Sequence, residues 1–350
     1  MSTTSLPGLP EQVPPMPPQP PYVDRSTGLV LFGIVQILFG AFALLMIPLT
    51  LLGFAMSRRT TGVTVPPGSF FLGALNYAAV AAVLIAFGIG SITVRRWARA
   101  LTLAGSWIWL IAGFLITILV TALMPAGFSQ GLRKAMERNP NAASLPAGAI
   151  AVILTVMIVV MAVFLVGVPL AFVLFYRSKG VAETVRHKDP VERWTERIPI
   201  PVLAASMIFA GAGAYYLGMS FTTPLVPFFG RYLTGIIGAA ACLVFAGIDG
   251  FIAVALARLH IAGWWVAVLV EVTKIVSAAI TFGRGNLLQA YSRMGLRYSQ
   301  LQMVGNSPFY RVGLYVSLFV MLIFLGFLLW IRRYFGRKTP AAPEYATPQV

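Results

Sequence analysis

The stretch 238-GAAACLVFAGIDGFIAVALARLHIAGWWVAVLVEVTKIVSAAI-280 decides the fold. Two long apolar runs meet in it at Arg258 and His260, and Asp249, Glu271 and Lys274 stand inside them. A helix rising about 1.5 Å per residue needs roughly 20 apolar residues to cross about 30 Å of hydrocarbon, and each run is long enough. The apolar residues are continuous rather than alternating. That excludes barrel strands and predicts a helical hairpin surrounded by lipid.

Outward from this hairpin the same pattern recurs. Eight apolar runs lie at about 28–54, 70–94, 101–125, 147–176, 199–222, 233–257, 261–282 and 312–334. The composition agrees: 58% of the residues are hydrophobic, 10% are charged and the mean hydropathy is +0.84. Soluble domains are about a quarter charged, so the solvent for most of this chain must be lipid. The expected class is an all-α integral membrane protein of about eight transmembrane helices.

The net charge of +16 is spread over 26 Lys and Arg residues, singly or in pairs between the runs. That pattern faces phospholipid and not nucleic acid. The expected partners are the lipid bilayer and other membrane proteins or a second copy of the chain. Cys242 stands alone, so neither a disulfide framework nor a Cys-based metal site is expected, and no cofactor is.

Residues 1–27 form a proline-rich tail, with PPMPPQPP at 14–21, which favours polyproline II and reads as disordered. The units that follow are a first four-helix membrane unit at 28–176, a cytoplasmic linker at 177–198, a second unit at 199–334 and a C-terminal tail at 335–350. The first run exceeds a signal-peptide core and is expected to stay in the mature chain. In the linker, Asp189-Pro190 followed by Glu192 reads as the start of a short interfacial helix, with Trp194 at headgroup level.

Eight spans put both termini on one side. Fifteen of the Lys and Arg residues fall on that side, ten fall on the other and Lys274 lies within a span. The bias predicts cytoplasmic termini in a bacterial inner membrane.

The two units resemble each other. Ala78, Ala82, Ala86 and Gly90 in the second span and Gly238, Cys242, Ala246 and Gly250 in the sixth recur every fourth residue, each set on one helix face suited to close packing. Ala98-Arg99 and Ala257-Arg258 are expected to mark the turns that follow, before AGSW at 104 and AGWW at 262. In each unit the next connection carries amphipathic spacing, Phe128, Leu132 and Met136 in one and Leu287, Tyr291, Met294, Tyr298 and Leu301 in the other, expected to lie flat on the membrane. An even number of spans per unit predicts two four-helix repeats in parallel orientation. A spacing of 158 to 160 residues pairs Asp249, Glu271 and Lys274 with Gly90, Gly113 and Ile116, so the charges belong to one unit alone.

Ionisable groups deep in a bilayer cost at least about 2.5–3.5 kcal/mol, so they pair or they function. Asp249 lies roughly 13 Å from the Arg258 turn and Glu271 roughly 15 Å from Ile261, level across the hairpin, with Lys274 one turn deeper. The cluster is either an ion relay or a structural pair. Gln36, Asn76, Tyr215 and Tyr216 are further interior polar candidates.

Enzyme signatures are absent. AGIDG at 246–250 is not the GxGD of an aspartyl protease, HExxH and GxxxxGK[ST] do not occur, and no histidine lies near Ser106, Ser206 or Ser277 within a span. His187 falls in a loop and His260 at a turn, so a bis-histidine haem has no ligands. The expected function is a non-enzymatic structural, regulatory or complex-forming membrane subunit. The alternative is a small-solute or proton-coupled transporter.

Overall fold

A computed structural model of the chain describes residues 23–61, 67–138, 147–284, 292 and 308–335. Eight of its helices are long and apolar enough to cross a membrane. They come from α1 (Ser26–Thr61), α2 (Pro67–Ile92), α3 (Arg96–Arg138), a fourth path through α4 (Ala147–Ala162) and α5 (Val168–Arg177), α8 (Ile200–Ser220), α9 (Gly235–Ala257), α10 (Ile261–Arg284) and α11 (Pro308–Ile331). Between α4 and α5 a π-helical turn, Val163–Gly167, keeps the fourth path continuous. It lies where α3 approaches so closely that any side chain at Gly113 would collide with the Leu165 carbonyl. Residues 1–22 of the proline-rich tail, the C-terminal tail beyond 335 and Leu287, Tyr291, Met294, Tyr298 and Leu301 lie outside the described residues, and α1 begins at Ser26, inside the expected tail. Phe128, Leu132 and Met136 do not belong to a separate surface helix, because α3 runs unbroken from its apolar part to Arg138.

Two helix hairpins are built alike. A methyl group at Gly40 of α1 would lie 3.1 Å from the Ala81 carbonyl and 3.3 Å from the Ile85 nitrogen. One at Gly213 of α8 would lie 3.2 Å from the Ala246 carbonyl and 3.4 Å from the Gly250 nitrogen. The backbones touch at these two points because neither glycine carries a side chain. Two turns along, Gly33 sits against the Gly88 carbonyl, and in the same place Ser206 donates its hydroxyl hydrogen to the Ala253 carbonyl at 2.7 Å.

The face of α2 that meets α1 is therefore Ala81, Ile85, Gly88 and Ile92. Of the expected stripe, Ala82 and Ala86 are exposed and Ala78 half-buried; only Gly90 is buried. In α9 Ala246 and Gly250 do line the α8 contact, while Gly238 and Cys242 are buried nearer its start.

The turns after α2 and α9 also match; Ala257-Arg258 ends α9 as expected, whereas the turn after α2 does not fall at its Ala-Arg pair. Val94 (φ 52°) and Leu259 (φ 56°) are left-handed. Arg95 N–H donates to the Gly90 carbonyl at 2.8 Å, and His260 N–H to the Ala255 carbonyl at 3.0 Å. This is the Schellman ending, in which a left-handed residue returns the chain's N–H groups to the last carbonyls of the helix. Ala98-Arg99 instead lies within the first turn of α3. In both turns a glycine meets an alanine across the chain reversal, Gly90 on Ala98 and Gly263 on Ala255. Val94 and Leu259 are 165 positions apart, as are Gly90 and Ala255, and Ala98 and Gly263.

The linker forms two helices, α6 (Lys179–Lys188) and α7 (Trp194–Arg197). Asp189 does not start a helix; it ends α6. Its carboxylate accepts from Arg96 N–H at 3.2 Å and so caps α3, an N-terminus that carries no acidic residue of its own in the first turn. Pro190 and Glu192 precede α7 outside any helix, and Trp194 is exposed.

Between α8 and α9 the chain makes a small antiparallel hairpin, β1 (Leu225–Phe228) with β2 (Arg231–Thr234). Phe229 (φ 40°) and Gly230 (φ 93°) form its two-residue turn, the left-handed pair that suits strand twist.

Candidate functional site

Asp249 faces α10 from α9 and is fully buried. Its two oxygens lie 2.8 Å and 2.9 Å from Lys274 Nζ, a bidentate ion pair joining the helices. Three rings surround the ammonium, with centroids at 5.4 Å for Tyr216, 5.7 Å for Phe245 and 5.9 Å for Phe209. The aromatic faces supply the negative potential that water would otherwise give the cation. Tyr216 and Phe245 also border a buried group of Met219, Val226 and Cys242, so β1 closes over this end of the cluster.

That hairpin is fastened to α10. Phe229 N–H donates to Ser277 Oγ at 2.9 Å, Gly230 N–H donates to Thr281 Oγ1 at 3.0 Å, and the Ser277 hydroxyl donates to the Pro227 carbonyl at 3.0 Å. Ser277 and Thr281 lie on the buried face of α10 that also carries Glu271, Ala267 and Trp264. The hairpin and its two hydroxyl anchors had no signal among the apolar spans; the glycine at 230 was the single hint of a turn.

Glu271 is 5% exposed and makes no hydrogen bond or ion pair among the described residues. Lys274 thus bonds Asp249, while Glu271 feels the same ammonium only through space. Two cavities lie elsewhere, against the linker and the N-terminal entry, and neither is lined by Asp249, Glu271 or Lys274. An offset of 165 residues, that of the two turns, leads from Asp249, Glu271 and Lys274 to Leu84, Ser106 and Trp109, none of them charged.

The other polar candidates divide. Gln36 is buried and donates to Thr102 Oγ1 at 3.2 Å, tying α1 to α3. Asn76 bonds only its own helix, to the Leu72 carbonyl at 2.8 Å. Tyr216 belongs to the cluster, whereas Tyr215 points outward, 45% exposed.

Ser106, Ser206 and Ser277 each spend their hydroxyl hydrogen on a main-chain carbonyl. Among the described residues no group of His, Cys, Asp and Glu could hold a metal ion. Chemically, the cluster can clamp α9 to α10; Glu271 is the one group in it with capacity to spare. Comparison of the chain with protein-family models, curated proteins and solved structures finds no match.

Proposed function

We propose that the chain is a non-enzymatic, membrane-embedded structural or complex-forming subunit. The observation that carries this reading is the closure of the Asp249–Lys274 pair. A relay or substrate site must be reached by water or solute, and here Asp249 is fully buried while Lys274, its side chain 13% exposed, packs among Phe209, Tyr216 and Phe245.

We infer further that the frame is two four-helix units in parallel orientation. The matched glycine contacts at Gly40 and Gly213, the matched Schellman turns and the shared 165-residue spacing support this. Charge bias supports termini on the cytoplasmic side of a bacterial inner membrane. A second reading, a proton-coupled or small-solute transporter, is favoured by one observation, the burial of Glu271 without a hydrogen bond or ion pair among the described residues.

Proteoliposomes holding a pH-sensitive dye separate the two. The wild type and Glu271→Gln are expected to dissipate an imposed pH gradient no faster than empty liposomes. A flux carried by the wild type and lost in an equally stable Glu271→Gln variant would establish the transporter instead.

A further inference from the structure

A cavity of about 510 Å³ lies between the linker and the beginnings of two spans, lined by Arg96, Arg99, Arg186, Glu192, Thr195 and Glu196 on its polar side. Arg96 is the first residue of the third span and Ile200, also in the lining, the first of the fifth. The cavity therefore sits where the chain enters the apolar layer, and its lining passes from arginines to Ala100, Ile198 and Ile200.

Its charges do not cancel. Glu196 belongs to Arg96 at 3.1 Å, and Glu192, on the exposed rim, faces Arg197 at 3.9 Å. Arg99 and Arg186 make no side-chain hydrogen bond or ion pair among the described residues, and Arg99 Nε is buried without a partner. Thr195 is 1% exposed, yet its hydroxyl also has no partner. A buried hydroxyl in that state costs free energy that a bound acceptor would return.

We propose that this cavity binds a phosphate-bearing anion, at this height the headgroup of an acidic phospholipid such as phosphatidylglycerol. Arg99 and Arg186 supply donors arranged for phosphate oxygens, and Thr195 supplies a hydroxyl that no protein group uses. The acyl chains follow the Ala100, Ile198 and Ile200 wall into the bilayer. Basic pockets at the cytoplasmic ends of membrane helices recognise acidic headgroups by this chemistry. The inference is independent of what the buried pair does.

The test uses the full-length protein in neutral detergent and follows its melting with phosphatidylglycerol, phosphatidylcholine or inorganic phosphate added. Phosphatidylglycerol is expected to raise Tm above the phosphatidylcholine value. Arg99→Gln and Arg186→Gln should each weaken that response roughly tenfold in lipid concentration. Thr195→Val should weaken it too without lowering Tm in phosphatidylcholine, because the hydroxyl has no partner in the protein to lose. An equal, arginine-dependent shift with inorganic phosphate assigns the site to a soluble phosphate and leaves its chemistry standing. If neither anion stabilises the wild type beyond phosphatidylcholine, or if the double arginine variant keeps the full shift, the proposal is overturned.

Discussion

At Glu271 a carboxyl group lies buried on the inner face of α10 without a hydrogen bond among the described residues, while one turn on, Lys274 gives both of its resolved bonds to Asp249. The two sites should respond oppositely to mutation. Glu271→Gln keeps the shape and removes only the possibility of charge, so its unfolding free energy should stay within about 1 kcal/mol of wild type in thermal melts. Ser277→Ala and Thr281→Ala each strip the acceptor from a hairpin N–H, and each should cost about 1–2 kcal/mol. Hydrogen exchange at Phe229 and Gly230 should quicken in those variants; unchanged exchange would refute the anchoring role. The depth of the charges was legible in the sequence, because it needs only the rise per residue. Which carboxylate Lys274 takes was not, since that depends on the rotation of α9 and α10 about their axes. Fourteen residues of loop between α8 and α9 likewise gave no period from which to read the hairpin that covers the pair.

Between helices the decisive contacts are backbone on backbone. Gly40→Leu and Gly213→Leu would each drive a side chain into a facing carbonyl and should lower stability by about 1–3 kcal/mol. Gly247→Leu, in the same helix as the Gly213 contact but with nothing within 4 Å, should leave Tm unchanged or raise it. Equal losses at all three positions would mean that close approach is not what the glycines provide. The eight spans could be read from the sequence because hydrocarbon imposes length and apolarity, but the packing face of α2 could not. In a helix apolar all round, no polarity contrast separates Ala81 and Ile85, which touch α1, from Ala82 and Ala86, which do not. The turn after α2 was equally hidden: its left-handed residue is Val94, where a glycine would have announced the ending.

Across the whole molecule the linker ties the chain's entry to the start of α3. Arg25 N–H donates to Thr184 Oγ1 at 3.0 Å, Lys188 Nζ lies 2.9 Å from Asp24, and Asp189 caps α3. The hydrogen bond from Lys188, followed by those from Ser26, pulls the Asp24 carboxyl from its ordinary 3.8 to about 2. Its folded value is depressed, so the tether is fully made above about pH 4 and is lost as the pH falls through about 2. A carbon-detected titration of Asp24 should find that midpoint at low salt, moving upward as salt screens the exposed pair; an ordinary midpoint at low salt would show the tether unformed.

The central claim is that Asp249 and Lys274 clamp α9 to α10 in a closed interior, and a double-mutant melting cycle tests it directly. Asp249→Asn and Lys274→Met alone should each cost about 3–5 kcal/mol, because either leaves the other charge buried and uncompensated. The double variant should recover most of that loss, giving a large coupling between the two sites. Additive losses with no coupling, or single variants that melt like the wild type, would contradict the account.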